Sequence, residues 1–401
     1  MIFLFWLCFF LVFYTFLGYG ILLFVLVQLR RILFGKRPLP PLDKNNLPTL
    51  TLVVAAYNEA GILDTKIKNT LELNYPKDRL QLLFVTDGST DASPEIIGQY
   101  PEIRLLHKKE RQGKIHAIHR AMKEVTSEIV VFTDANTYLN RDALLKIVPH
   151  YTDPTVGAVS GEKRVWVDGI TDATAGEGLY WHYESTLKKW DSELYSVVGA
   201  AGELFSVRRQ LYEDVPPDTI LDDFMISMRI AARGYRVVYE PQAYALETPS
   251  EDVNEELKRK IRIAAGGIQS ILRLKPLLNP LRYPLLSFQY ISHRVLRWTI
   301  TPFLLIVMLV TNGLIVLSSD QMFYQLLLIG QISFYLAALL GWIFEQRKMS
   351  VKLLYVPFYF SFMNYAVIAG IFRYFGGKQA AAWEKAKRKN TDLDNSSSPN
   401  P

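Results

Sequence analysis

The sequence predicts a Rossmann-like α/β domain with a mostly parallel sheet, set between transmembrane α-helices. Two observations carry that prediction. Half of the 401 residues are hydrophobic, yet the charged side chains concentrate between about Pro48 and Lys275 and thin out toward both ends. Within that charged middle, short apolar, β-branched runs end in polar turns and alternate with helical patterns. A chain made only of membrane spans would not hold such a middle, and a soluble domain would not need such ends.

Residues 1–29 are almost wholly apolar, and Arg30, Arg31, Lys36 and Arg37 follow. A cleaved export signal begins with positive charge and closes on a small-residue site. Here the start is uncharged and the basic cluster comes after, so the segment reads as a retained transmembrane helix. Its flanking charges place the next segment in the cytoplasm. The formal net charge of +6 fits this anchoring and does not call for a nucleic-acid partner. Cys8 is the only cysteine in the sequence, which excludes an intrachain disulfide.

Residues 48–275 form the expected soluble domain. Thr49–Ala56 is an unbroken apolar run, as in a strand buried on both faces. Tyr57-Asn58-Glu59 ends it, and a helical pattern runs to about Leu73. A second strand is expected over Leu80–Thr86, closed by Asp87-Gly88-Ser89-Thr90-Asp91, and a third near Arg104–His107. A helix follows over Lys114–Glu124. Another strand over Glu128–Thr133 ends in Asp134-Ala135-Asn136. In parallel α/β sheets ligands bind beyond the carboxyl ends of the strands. The three polar turns at 57–59, 87–91 and 134–136 therefore converge on one expected site. No glycine-rich GxGxxG turn follows the first strand, so the sheet is not a dinucleotide fold of the usual kind.

Residues 280–298 mix apolar side chains with Ser292-His293-Arg294 and Arg297-Trp298, as in an amphipathic helix at a membrane interface. Residues 299–375 read as a C-terminal transmembrane region, with spans near Trp298–Leu317 and Phe323–Phe344 and a third candidate at Leu353–Phe375. A full crossing by the third would leave Lys378, Lys385, Lys387, Arg388 and Lys389 on the outer side, against the charge rule. A crossing and a re-entrant segment both stay open. Residues 376–401 are a polar tail.

The order and spacing of the turns, together with Gln112-Gly113-Lys114, Gly199-Ala200-Ala201-Gly202-Glu203, Leu221-Asp222-Asp223-Phe224 and Arg259-Lys260-Ile261-Arg262-Ile263, resemble the family 2 glycosyltransferases. The resemblance is to the membrane-integrated branch with the cellulose, hyaluronan and poly-N-acetylglucosamine synthases, and it covers roughly Thr49 to Arg297. It implies a GT-A fold and an inverting transfer from a UDP-sugar. Tyr57, Asn58, Glu59 and Asp87 match positions that hold base and ribose. Lys114, Arg259 and Arg262 match positions that meet the diphosphate. Asp134 and Asn136 stand where the family carries its DxD motif, which holds Mg²⁺ or Mn²⁺ against the phosphates. Asp223 matches the general base, with Asp222 beside it. Gly199, Gly202 and Glu203 match the acceptor-side loop, and Trp181 is a candidate platform for the acceptor sugar. Four departures stand out: Asn136 replaces the second Asp, Arg259 a Gln, Ile263 a Trp, and His119 an Asn.

The resemblance implies a β-linked exopolysaccharide as product, made by a multi-pass protein of a bacterial inner membrane with its catalytic domain in the cytoplasm. Transfer of one sugar to a lipid acceptor is the alternative within the same chemistry. A non-catalytic membrane scaffold that binds a nucleotide-sugar is the alternative outside it. Polymer export past so few spans would call for a homo-oligomer or a secretion partner.

Overall fold

The computed structural model describes residues 1–37, 41–43, 46–165, 172–248, 252–347, 349 and 351–377, with backbone alone over 172–180. The chain divides into two compact units. A sheet unit takes residues 36–166 and 191–251, and a helical unit takes residues 1–35, 167–190 and 252–379. Residues 378–401, most of the expected polar tail, lie outside the described residues.

The sheet unit holds strands β1 (Leu50–Ala56), β2 (Leu80–Asp87), β3 (Ile103–Lys108), β4 (Ile129–Asp134), β5 (Thr137–Leu139), β6 (Val156–Val165), β7 (Leu204–Arg208) and β8 (Arg236–Glu247). They form an eight-stranded sheet in the order β3-β2-β1-β4-β7-β6-β8-β5. The first half is parallel: β1 pairs with β2 and β4, and β2 pairs with β3. Val53, Val54, Val130 and Val131 are all but inaccessible to solvent, which is why these strands read as continuous apolar runs rather than alternating ones. The helix Ala60–Leu71 covers one side through Leu63 and Ile67, both fully buried in the core that also holds Leu52, Val54 and Phe84.

In the second half β7 runs antiparallel to β4 and β6, β6 pairs in parallel with β8, and β5 pairs antiparallel with β8. The reversal at β7 has a direct consequence. Its first residue, Leu204, pairs with Thr133 near the end of β4. The loop before β7 therefore arrives at the same sheet edge as the turns after β1, β2 and β4.

Among the described residues the helical unit contains four helices long and apolar enough to cross a membrane: Ile2–Phe34, Thr301–Ser318, Met322–Gln346 and Lys352–Phe375. The first runs on beyond residue 29 and takes in Arg30 and Arg31, both good helix formers. It stops at Gly35, whose φ of 70° only glycine adopts freely. It carries a π-helical turn at Tyr14–Gly18, and a second such turn occurs at Ile291–Val295. The two are joined, since the Tyr14 and Ser292 hydroxyls lie 2.7 Å apart. Between Thr301–Ser318 and Met322–Gln346, Asn312 donates to Gln331 Oε1 at 2.8 Å, a polar link of the kind that holds membrane helices together.

The expected interface segment is helical from Pro284 to Trp298 and breaks at Thr299. Lys352–Phe375 is one continuous helix despite Pro357. It packs closely on the helix Val253–Arg273, where a Cβ on Gly370 would stand 2.5 Å from that of Ala264. Buried Glu184 gathers three partners from one stretch: Arg297 in direct contact, the His293 ring at 3.3 Å and Arg294 at 3.5 Å.

Candidate active site at the sheet edge

Four carboxylates and one lysine meet at the carboxyl ends of β1, β2 and β4. Lys114 is the first residue of the helix Lys114–Glu124, after Gly113 at φ 101°. Its Nζ lies 2.8 Å from Asp134 Oδ1 and 3.6 Å from Asp222 Oδ2. Asp222 and Asp223 open the helix Asp222–Ala232, where the helix dipole favours negative charge. Glu203 closes the loop before β7, and its carboxylate is held by Lys163 Nζ at 2.6 Å. Lys163 also contacts buried Glu247.

The electrostatics follow from enclosure and crowding. Burial pushes the Asp223 carboxyl up to about 7, and the adjacent Asp222 charge adds to the shift, while Lys114 and the Phe224 N–H partly offset it. Burial also raises Asp134, against the pull of Lys114. For Lys114 burial works against the ammonium, but Asp134 and Asp222 outweigh it and its pKa is raised. Lys114 is thus a fixed cation, and Asp223 is a carboxyl poised near neutrality.

The loop 199–203 is pinned from behind. Ser227 Oγ accepts from Ala200 N at 3.0 Å, and Ser160 Oγ accepts from Ala201 N at 3.1 Å. Gly199 has φ +85° and packs directly on the Phe224 ring, where a side chain would clash. A Cβ on Gly202 would stand 3.0 Å from Asp223 Oδ2. Gly199 is therefore required by its backbone and its close approach to the helix that carries Asp223, and a side chain on Gly202 would press on the Asp223 carboxylate itself.

The first two turns knit together. Asn58, at φ 53°, accepts from Thr90 N at 2.8 Å through Oδ1, and its own N–H donates to Ser89 Oγ at 3.2 Å. The N–H of Glu59 donates to Ser93 Oγ, and that of Ala60 to Asp91 Oδ2, both at 3.0 Å. Asp87 Oδ2 accepts from Gln112 N at 2.7 Å and from Gly113 N at 2.5 Å, so it fixes the loop that delivers Lys114. The guanidinium of Arg111 lies 3.9 Å above the Tyr57 ring. Gly88, at φ +70°, lets this loop approach within 2.5 Å of where its Cβ would be.

The structure thus brings Tyr57, Asn58, Glu59, Asp87, Lys114, Asp134, Asn136, Gly199, Gly202, Glu203, Asp222 and Asp223 into one unit, on the turns and helix starts of a single edge. Trp181, Arg259 and Arg262 belong to the helical unit. There Trp181 lies 5.5 Å from Lys260 Nζ, and Arg259 pairs with Glu256 at 3.1 Å on their shared helix.

Four residues of the site were not singled out from sequence: Lys66, Arg111, Arg120 and Lys163. Arg120 donates to Thr86 O at 2.8 Å and pairs with Asp87 at 3.4 Å. Lys66 is wholly buried, and burial lowers its ammonium to about 7 against the pull of Asp134. A signal for Lys66 existed, because it shares the buried stripe of Leu63, Ile67 and Thr70 on its helix.

The arrangement can hold a divalent cation. Asp222 Oδ2 is buried with no hydrogen-bond donor among the described residues. Among the described residues Lys114 is the cation within ion-pair distance of Asp134 and Asp222. A diphosphate brought among these carboxylates would need further positive charge. No closed cage of three His, Cys, Asp or Glu side chains occurs among the described residues. An open site of one or two carboxylates completed by phosphate oxygens is the usual arrangement for Mg²⁺ with nucleotides.

Residues 51–215 match the profile of glycosyl transferase family 2. Poly-beta-1,6-N-acetyl-D-glucosamine synthase of Staphylococcus aureus (strain MSSA476) is 27% identical over 254 residues, 61% of this chain and 60% of that protein. Beta-monoglucosyldiacylglycerol synthase of Synechocystis sp. is 29% identical over 203 residues, 47% of this chain and 42% of that protein. The chain thus spans about 60% of the length of the curated synthases it matches first. Among solved structures, a mannosyltransferase from Pyrobaculum calidifontis in complex with GDP-Man and Mn²⁺ superposes with a TM-score of 0.70 at 25% identity, covering 94% of this chain and 100% of that one.

Proposed function

We propose that this chain, whose residues 51–215 match glycosyl transferase family 2 and whose fold is GT-A, is a membrane-anchored inverting enzyme acting on a nucleoside-diphosphate sugar. The acceptor hydroxyl is that of a growing exopolysaccharide or of a glycolipid. The donor we expect is a UDP-sugar. The Pyrobaculum mannosyltransferase holds GDP-Man, so GDP-sugars form the second arm of the test.

The observation that carries this reading is Asp223. It is an enclosed carboxyl pushed up to about 7, at a helix start beside the Lys114–Asp134 pair and against side-chain-free Gly202. A base that ionises near the working pH combines the right protonation state with enough driving force. In the proposed reaction Asp223 takes the proton of the acceptor hydroxyl as its oxygen bonds to the anomeric carbon. The bond from that carbon to the diphosphate oxygen breaks in the same displacement, and configuration inverts. Lys114 faces the charge that develops on the departing diphosphate. Asp87, Gly88 and Gly113 hold the loop from which Lys114 projects, so Lys114 does not have to be ordered during the reaction. Asp134, with Asn136 as the second donor, would hold Mg²⁺ or Mn²⁺, which supplies Lewis-acid neutralisation of the diphosphate. The non-catalytic scaffold reading gains no support from such a base, since a binding module has no use for it.

Single transfer to a lipid acceptor is favoured by one observation over polymer synthesis. Ile263 stands where the resembled polymer synthases carry Trp. Purified full-length protein in detergent, given a panel of UDP- and GDP-sugars with Mn²⁺, Mg²⁺ or EDTA, tests the whole reading. Nucleoside-diphosphate release on one donor, abolished by EDTA, is expected, and product size then separates polymer from single transfer. Binding of nucleotide-sugar without release, in the presence of lipid and oligosaccharide acceptors, would favour the scaffold.

A further inference from the structure

We propose that Lys66 is a positioning residue that holds the Asp134–Asn136 turn in its metal-binding shape from inside the domain, an inference that rests on the glycosyltransferase reading above. Lys66 lies on the helix Ala60–Leu71 and is fully buried. Its Nζ donates to the backbone carbonyl of Thr137 at 2.6 Å and to Thr133 Oγ1 at 3.3 Å. Thr133 and Thr137 are the residues on either side of Asp134-Ala135-Asn136. One ammonium therefore grips both ends of the turn.

The two threonines extend the grip. Their hydroxyls lie 3.0 Å apart. Thr137 Oγ1 donates to the carbonyl of Asp134 at 3.0 Å, and Thr133 Oγ1 donates to the carbonyl of Glu203 at 2.9 Å. The metal turn and the loop before β7 are thus tied to a single buried point. Separately, Asn69 holds the strand beyond the turn. It donates to Leu139 O at 2.8 Å and accepts from Leu139 N at 2.9 Å.

Packing alone does not account for Lys66. Its neighbours on the stripe, Leu63 and Ile67, are apolar and fully buried, and an unbranched apolar side chain would fill the same space without desolvating a charge. What an apolar side chain cannot do is hold the Thr137 carbonyl. Residues behind metal ligands fix ligand orientation, and losing them weakens metal binding by roughly 10- to 100-fold.

The test uses full-length protein in detergent carrying Lys66→Met, Lys66→Arg or Asn69→Ala. Free Mn²⁺ is followed by electron paramagnetic resonance with saturating UDP or GDP, whichever the wild type binds, and thermal midpoints are recorded alongside. Lys66→Met should weaken Mn²⁺ binding about tenfold or more with an unchanged or higher midpoint. Lys66→Arg should recover part of that loss. Asn69→Ala should lower the midpoint and leave Mn²⁺ binding near wild type. Wild-type Mn²⁺ affinity in Lys66→Met would overturn the inference and leave the glycosyltransferase reading intact. Should Lys66→Met fail to fold, Thr133→Val decides on the same readout: weaker Mn²⁺ binding upholds the inference and wild-type affinity overturns it. A wild type that binds no Mn²⁺ with either nucleotide would sink the reading and this inference together.

Discussion

Gly202 stands so close to Asp223 that a methyl group on it would lie 3.0 Å from the Asp223 Oδ2 oxygen. The smallest side chain at residue 202 therefore pushes on the proposed base while leaving the Lys114 side of the site alone. Gly202→Ala should lower kcat several-fold, since the contact moves the carboxylate by a few tenths of an ångström and misplacing a catalytic group by about 1 Å can cost about 10²-fold. The donor KM should stay within about twofold, because the residues proposed to meet the donor lie on other turns. Steady-state kinetics on the purified protein separate the two.

Asp223→Asn removes the proposed base and keeps the shape. Turnover should fall by about 10²- to 10⁴-fold, the range for loss of a general base, with nucleotide affinity retained. Calorimetry with the nucleoside diphosphate and a release assay on the same preparation check both parts. Retained turnover in this variant would move the base elsewhere.

The pH profile follows from the same carboxyl. An ordinary Asp titrates near 3.9, and burial with the Asp222 charge lifts Asp223 to about 7. The base works ionised, so kcat/KM should rise with pH through about 7 and level off above it. The sign for stability is opposite. A raised folded pKa means that the fold favours the protonated form, so this contribution is full below about 4 and is lost as pH rises through about 7. Asp223→Asn should flatten that slope in thermal midpoints measured between pH 5 and 8.

Lys114 pairs with Asp134 at 2.8 Å and is expected to meet the diphosphate. Lys114→Met should raise the donor KM and lower kcat, together costing about 10²- to 10³-fold in kcat/KM, as for loss of one preorganised electrostatic group. It also leaves Asp134 without its paired cation, so a modest stability change should accompany it. Kinetics over a donor series, with a thermal scan as control, measure the effect.

In the helical unit, Glu184 lies buried between Arg297, His293 and Arg294, and against the cost of burial Arg297, the His293 hydrogen bond and Arg294 hold its carboxyl well below the usual carboxylate range. Glu184→Ala would strand buried positive charge. Removing one partner of a buried pair costs about 3–5 kcal/mol, so this variant should show a large drop in detergent thermal midpoint. A midpoint within a degree or two of wild type would mean that water reaches the cluster.

Much of the site was legible because parallel strands announce themselves. Leu50–Val54 and Leu82–Thr86 are buried on both faces, so these strands read as apolar runs, and the residues after them fall at the carboxyl ends by necessity. Asp87 and Asp134 could be placed that way, whereas the Asp222-Asp223 pair, which opens a helix, was marked only by the family resemblance. Two things were hidden. The roles of Asn58 and Asp87 as fasteners between turns depend on hydrogen bonds across 25 to 32 residues, which leave no periodic trace. The stripe around Lys66 signals burial but not its partner, and the partners of Lys66 and Lys163 lie 40 to 84 residues away in the sequence.

The sequence by itself determined the four strands of the parallel half, the helices after Glu59 and from Lys114, and the apolar runs near both ends, since those depend on local periodicity and on run length. It also determined the chemical types at the strand ends, and with them the glycosyltransferase resemblance. Only the tertiary structure decided that β7 runs backwards between β4 and β6, so that Glu203 and Gly202 reach the edge that carries Asp134. It also decided that Asp223 is enclosed beside Asp222 and Lys114. Both are outcomes of pairing and packing between distant segments: a strand's direction is not written in its own residues, and a carboxyl's pKa belongs to its neighbours.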